Sequence, residues 1–298
     1  MGGVDLKTKL GLLTSRIRLE EKLIIKEAKS RPEIEVKMID PRKLVFDMKE
    51  PPDIDVLLDR EISQSRAYHV LELLRTEQIP VINSFDTVNI CGDKVLTSAK
   101  LSSSGVPTPE IKVAFDTSSA IEAAEDLGYP VVIKPVDGSW GRLLGKINDR
   151  ASAEALLEHK EHLDSHYHSV LYLQEYIEKN GKDIRAFIID GELLGAAYRV
   201  SDHWVTNASR GGQASPCPIT PELENICKEA AKAVGGGALA VDLFETPDGF
   251  SVNEINCSME FKESMKVISE DIPARLIDYA AQLSSTRIKE EPQECLPT

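Results

Sequence analysis

Aromatic residues are scarce in this 298-residue chain, at 5%, and basic residues are outnumbered, with 35 Lys and Arg against 49 Asp and Glu. The resulting net charge of −14 argues against a general nucleic-acid binder, because neutralising phosphates takes a basic face; a local basic patch remains open. No apolar run approaches the roughly 18 residues of a membrane span. The start, MGGVDLKTKLGLL, lacks the long apolar core and cleavage site of a signal peptide, and Gly2 is not followed by Ser or Thr at position 6, as myristoylation requires. The five cysteines (91, 217, 227, 257, 295) include no CxxC pair, which excludes a disulfide framework and a structural zinc site. These absences lead to the expectation of a cytoplasmic protein with no membrane or nucleic-acid partner. There is also no GxxxxGK[ST] loop, no GxGxxG after the first strand and no repeat of 20–50 residues.

What is present is ordinary for a globular protein: 42% hydrophobic and 28% charged residues, enough chain for two or three domains. Over the first ~90 residues short apolar runs (9–13, 34–39, 55–58, 80–82) alternate with helical patterns (20–28, 65–74), the rhythm of a small parallel sheet with crossovers. A second unit begins near Cys91, with a helix over 93–103, a strand over 111–115, an amphipathic helix capped near Thr117–Ser119 and the buried strand YPVVIKP. A third, from Val170 to about Leu283, holds QEYI, DIRAFII, GELLGAAYR, a glycine-rich stretch, a helix, and the strands ALAVDLFE and FSVNEIN. The last dozen residues read as a solvated tail.

Three places carry chemistry. Lys134 lies in an apolar strand, where an unpaired ammonium is costly; either an anion meets it or its head reaches solvent at the strand end. The following Gly138-Ser139-Trp140-Gly141-Arg142 is either a backbone cradle for a phosphate or a plain turn. Near the C-terminus, Glu254 and Asn256 share a strand face, and the turn TPDG over 246–249 separates them from Asp242. If the two runs pair as a hairpin, Asp242 comes opposite Glu254. Two carboxylates and an amide are hard oxygen ligands suited to Mg²⁺, against the alternative of bulge, cap and turn formers. The segment Gln174-Glu175-Tyr176-Ile177 can offer backbone groups to an adenine edge, and Asp183-x-Arg185 is either a phosphate site or a salt-bridged strand. Tyr198-Arg199 through Asn207 and Arg210 to Gly212 suits a carboxylate or phosphate site, or only an exposed turn.

In order, these pieces are Lys94 before a helix, Lys134 on a strand, a glycine loop, QEYI, DIR, and D…NEIN. That order resembles the ATP-grasp superfamily over residues 8–285. Within it, CGDK (91–94), GSWGR (138–142), EHKE (158–161), RGGQA (210–214), AVGGG (233–237), VDLFE (241–245) and NEIN…MEFK (253–262) look like the LysX-type ligases, which attach L-2-aminoadipate or glutamate to a small acidic amino-group carrier protein. The resemblance implies an α/β (α+β) ATP-grasp fold. Its parts would be a parallel-sheet N-terminal domain (1–90), a central lid domain (91–169), a catalytic domain (170–285) and a tail (286–298). It further implies ATP with two Mg²⁺ ions, a carrier-protein partner, an amino-acid substrate and a homo-oligomer. Lys94, Lys134 and the 138–142 loop would hold the phosphates. Gln174 to Ile177 would take the adenine, and Asp183 the ribose. Arg185 would face the phosphates or acyl phosphate. Arg199, Asn207 and Arg210 would contact the amino acid and oxyanion, with Arg199 and Arg210 forming the inner end of a basic docking patch. Asp242, Glu254 and Asn256 would hold the metal, and removing either carboxylate would then leave the fold largely intact. The MEFK start of 259–262 looks more like aminoadipate than glutamate enzymes.

Other ATP-grasp carboxylate–amine ligases and a non-catalytic nucleotide-binding module are the competing readings. Four histidines (159, 162, 166, 168) lie within ten residues; acidic neighbours favour a solvated surface over a metal site, and His203-Trp204 is the better functional pair. Cys257, with no evident base, reads as a small buried thiol.

Overall fold

The computed structural model describes residues 7–138, 143–162, 169–206 and 213–290. Strands β1 (Thr8–Leu13), β2 (Ile34–Ile39), β3 (Val56–Asp59) and β4 (Val81–Ile82) form a four-stranded sheet in the order β2-β1-β3-β4, every pair parallel. α1 (Leu19–Ser30) carries the crossover from β1 to β2 and α2 (Gln64–Thr76) that from β3 to β4, while residues 40–55 link β2 to β3 without a helix. β3 is buried at all four positions, the pattern of a strand covered on both faces. Val56 and Leu58 enter one core with Ile24 and Ala28 of α1; Leu57 enters another with Val70, Leu71 and Leu74 of α2.

After α3 (Phe85–Cys91) and α4 (Lys94–Ser103), a second sheet has the order β5-β8-β6-β7, from β5 (Ile111–Ala114), β6 (Val131–Lys134), β7 (Gly145–Ile147) and β8 (Leu171–Glu175), all antiparallel. Helices α5 (Thr117–Leu127) and α6 (Arg150–His162) close its core through Ala120, Ala124, Ala153 and Leu157. The strand ending in Gln174-Glu175 therefore belongs to this sheet and not to the third unit, where sequence reading had put its start. Its partners, 40 to 60 residues earlier, leave no local trace.

The third sheet, β11-β10-β9-β12-β13, comprises β9 (Lys182–Ile189), β10 (Glu192–Val200), β11 (Gln213–Pro216), β12 (Ala238–Thr246) and β13 (Gly249–Asn256). Helix α7 (Pro221–Ala233) covers one face with Leu223, Cys227 and Ala230. Helix α8 (Ile272–Glu290) fastens the chain's two ends together: Ile272, Leu276 and Ala280 share a core with β1, β3 and Phe187 of β9. It runs five residues into the stretch expected as tail.

Asn83, just past β4, ties the first sheet to the third. Its Oδ1 accepts the Ala238 N–H, and its Nδ2 donates to Ala238 O at 2.9 Å and Cys257 O at 2.6 Å. The neighbouring glycine is required: Gly237 has φ +110°, and a Cβ there would stand 2.1 Å from Asn83 Oδ1.

Candidate active site

β9 is the axis of the site. Asp183 and Arg185 are two apart and share a face. The antiparallel register sets Arg199 of β10 opposite Asp183, Asp242 of β12 opposite Arg185, and Glu254 of β13 opposite Asp242. Directly opposed residues lie on one face of a sheet, so a belt of charge crosses four strands. Arg185 donates to both Asp242 oxygens (Nε–Oδ1 2.8 Å, Nη2–Oδ2 2.9 Å), and Arg199 adds Nη1–Oδ2 at 3.1 Å while its Nε donates to Asp183 Oδ1 at 2.6 Å. Burial alone would raise the Asp242 carboxyl; the two guanidiniums outweigh it and hold the group below the usual carboxylate range.

The pairing slips beyond Asp242: Leu243 faces Val252, leaving Asn253 as an extra, bulged residue. A bulge re-aims side chains, and here consecutive Asn253 and Glu254 both face one cavity, where a regular strand would send them to opposite faces. Across that cavity Lys134 is 8% exposed and donates to Gln174 Oε1 and Asn253 Oδ1, both at 2.7 Å. Desolvation pulls its ammonium down to about 8, partly opposed by Glu254. Lys94 is placed by the Asp93 cap, whose Oδ1 accepts the Val95 and Leu96 N–H groups. Its Nζ donates to Gly138 O at 2.8 Å and lies 3.6 Å from Glu254.

Two cavities meet at this belt. The first runs between the second and third sheets and is lined by Glu175, Tyr176, Ile177 and Trp204 at its apolar end. Tyr176 and Trp204 stand edge to face with centroids 6.5 Å apart, and Lys146 Nζ lies 3.5 Å over the Tyr176 ring. The second opens between the third sheet and the carboxyl ends of the parallel strands, with Arg18, Asp59 and Glu61 on one wall and Arg185, Asn256 and Ser258 on the other. Carboxyl ends of parallel strands are where open α/β sheets bind ligands. Lys94, Arg199, Asp242 and Glu254 line both cavities.

The structure gathers Lys94, Lys134, Gln174 to Ile177, Asp183, Arg185, Arg199, Asp242, Glu254 and Asn256 at these cavities. Three expectations change. Asp183 accepts from Arg199 on one oxygen and from Lys179 Nζ at 3.0 Å and the Thr206 hydroxyl on the other, so it supports Arg199 from the lining of the first cavity, and a ribose would have to share it. Arg185 lines the second cavity with its guanidinium held by Asp242, so a phosphate role there would require an anion to draw it from that carboxylate. Arg199 is 7% exposed and paired with two acids, so it cannot belong to a docking patch. Gly138 is exposed at the cavity edge; Ser139, Trp140, Gly141, Arg142, Asn207 and Arg210 lie outside the described residues. His159 and His162 are exposed on the end of α6, His203 is exposed, and His166 and His168 lie outside the described residues. Burial pushes the Cys257 thiol up to about 12, which removes it as a nucleophile.

Sequence reasoning missed Asn253, Lys179 and the wall at Arg18, Asp59 and Glu61. The triplet Asp59-Arg60-Glu61 ending an apolar strand was the one available signal. For Mg²⁺ the donor set fits in kind: two carboxylates opposed on neighbouring strands and the amide oxygen of Asn256 two residues along, all hard oxygen ligands. Among the described residues no group of three His, Cys, Asp or Glu is placed to hold a metal, so the amide is needed to complete the set.

A cavity between two antiparallel sheets, with lysines on one side and a carboxylate hairpin on the other, is the arrangement of an ATP-grasp protein. The chain belongs to the RimK-like ATP-grasp ligases: that family's domain matches residues 91–280, and a LysX preATP-grasp domain matches residues 10–90. ATP-grasp ligases use ATP and Mg²⁺. The α-aminoadipate–LysW ligase LysX of Saccharolobus solfataricus is 35% identical over 89% of this chain and 98% of its own length. The glutamate–LysW ligase ArgX of Sulfolobus acidocaldarius is 34% identical over 91% and 97%. Among solved structures, a RimK domain ATP-grasp protein of Sphaerobacter thermophilus superposes with TM-score 0.77 at 24% identity, covering 92% of this chain and 99% of that one, which shows the shared fold. No helix among the described residues is long and apolar enough to cross a membrane.

Proposed function

We propose that the chain joins the α-amino group of L-2-aminoadipate to the C-terminal glutamate of a small acidic carrier protein, with ATP as the activating substrate. The observation that carries this reading is the shared wall of the two cavities: Lys94, Arg199, Asp242 and Glu254 face both, so phosphate chemistry and an acceptor meet at one place. A carboxylate is a poor electrophile. Its oxygen attacks the γ-phosphorus and ADP leaves; the amine nitrogen then attacks the carbonyl of the acyl phosphate, loses a proton, and phosphate leaves. Lys94 and Lys134 hold phosphate oxygens, and the rings of Tyr176 and Trp204 enclose the base. Asp242, Glu254 and Asn256 would hold two Mg²⁺ ions, which supply charge neutralisation for the transferring phosphoryl group. Arg185 and Arg199 are two cations beside the same carboxylate, and a newly arrived anion can draw either from Asp242. The chain's own contribution is orientation and electrostatics, with no covalent enzyme nucleophile. The reaction belongs to a reducing cytoplasm on this proposal, as the cysteine pattern of the sequence led one to expect.

Glutamate is the alternative amino acid. The relatives of either specificity are almost equally similar, and one methylene is worth only about 1–3 kcal/mol in a pocket. Incubating the enzyme with purified carrier, ATP, Mg²⁺ and equal concentrations of the two amino acids, then reading the carrier by mass, tests the proposal. A carrier amide of aminoadipate, formed through its α-nitrogen, is expected. A carrier amide of glutamate alone overturns the substrate, and no product with ATP left intact overturns the carrier-ligase reading.

A further inference from the structure

The wall of the second cavity formed by the N-terminal sheet is acidic, and its carboxylates differ in what they hold. Glu61 is fully engaged: Ser15 N–H donates to Oε2 at 2.7 Å, while Ser15 Oγ, Ser63 N–H and Arg66 donate to Oε1. Glu260 takes Arg18 Nη1 at 2.8 Å. Asp59, the last residue of β3, is 8% exposed and has one hydrogen bond among the described residues, Glu61 N–H to Oδ1 at 2.8 Å. Its other oxygen has no hydrogen-bond partner there, yet it is not enclosed, because the residue lines the cavity. The adjacent guanidinium of Arg60 does not fill that role, since its Nε goes to Glu21 at 3.0 Å and its Nη1 to Met259 O at 2.9 Å. Cys257 and Glu61 are the other titratable groups nearby, and neither brings a positive charge. A buried carboxylate with an open oxygen and no ion pair is costly even with the charge of Arg60 near it, and a cationic ligand group arriving from the cavity would complete it.

The geometry points to Asp59 as the residue that receives the ammonium group of the free amino acid. This rests on the carboxylate–amine ligase reading. The opposite wall carries Arg185, Arg199 and Lys94 together with Asp242 and Glu254, which pair with them, and Glu61 and Glu260 have arginine partners, so among the carboxylates of the cavity Asp59 is set apart by having no ion pair among the described residues. Burial, outweighing the Glu61 N–H and Arg60, pushes the Asp59 carboxyl up to about 7, as expected of a carboxyl awaiting its partner.

The test compares wild type, Asp59→Asn and Asp59→Glu in carrier ligation. The readouts are KM for the amino acid, KM for ATP, and inhibition by adipate and glutarate, which are aminoadipate and glutamate without the ammonium. Asp59→Asn is expected to raise the amino-acid KM about 10- to 100-fold, the range of one charge-assisted hydrogen bond, with ATP KM and the diacid inhibition constants within twofold of wild type. Asp59→Glu, which keeps the charge, is expected to recover most of the affinity, and it carries the test if the amide variant folds poorly. An unmoved amino-acid KM overturns the assignment, as does a parallel rise for the diacids, which marks a merely structural role. Absence of any turnover in the wild type overturns the ligase reading and this assignment with it.

Discussion

Arg185 closes on both oxygens of Asp242, at 2.8 and 2.9 Å, directly across the β9–β12 pairing. The carboxylate proposed to hold a metal is thus also the counter-ion of the buried Arg199 and the half-buried Arg185. On that proposal, metal binding and release of a guanidinium toward an anion would be coupled at one side chain.

Asp242→Ala is expected to abolish ligation and also to destabilise the nucleotide-free protein by about 3 kcal/mol, because it leaves the half-buried Arg185 without its carboxylate and the buried Arg199 with Asp183 alone. This replaces the expectation from sequence that the fold would be spared. Urea unfolding alongside the ligation assay checks both. The depressed pKa adds a sign: the stability that Asp242 contributes is fully present above its unfolded value near 4 and is lost as pH falls through the lower folded value. Acid unfolding of Asp242→Asn should accordingly be less steep in that range.

ATP affinity should weaken as pH rises above about 8. Lys134 loses its proton near there in the free protein, and only the ammonium form attracts phosphate. Bound phosphates favour the charged form, so Kd is expected to rise by up to about tenfold per pH unit until the pKa of the bound state is passed. Lys134→Met should bind weakly with no such slope. Calorimetric titration with ATP and Mg²⁺ across pH 7–10 decides it; a flat wild-type profile would count against Lys134 as a phosphate ligand.

Asn83→Ala is expected to cost about 2–3 kcal/mol, since both backbone groups of Ala238 lose their partner inside the protein. Gly237→Ala should be at least as damaging in wild type, from the clash with Asn83 and the positive φ together. In the Asn83→Ala background only the φ penalty remains. A double-mutant cycle in urea should therefore show strong coupling; simple additivity would mean that the two residues do not meet.

Trp204→Ala should raise the ATP KM about 5- to 100-fold and leave the amino-acid KM unchanged, as expected for loss of one aromatic wall worth about 1–3 kcal/mol to a bound base. Equal changes in both would place Trp204 in the framework and not in the base pocket.

By itself the sequence determined the features that depend on near neighbours. The alternation of short apolar runs and helical patterns marked the parallel sheet, because periods of 2 and 3.6 are local properties. The turn at 246–249 marked the hairpin that pairs the two runs, because a tight turn joins its own strands; its register alone would set Asp242 against Asn253, and the bulge brings Glu254 opposite instead. Lys134 stood out because an ammonium in an apolar strand demands a partner.

Only the tertiary structure decided who that partner is. Gln174 and Asn253 lie 40 and 119 residues away from Lys134, and the bulge that aims Asn253 at it adds one residue to a pairing that periodicity reads as regular. Asp183 and Arg185 could be read as each other's partners from their spacing; each in fact meets the residue opposite it on another strand. β8 joined the second sheet, α8 docked on the first, and Asp59 reached the cleft for the same physical reason. Pairing and packing between distant segments are chosen by the burial and hydrogen bonding of the whole assembly, and no segment carries that information alone.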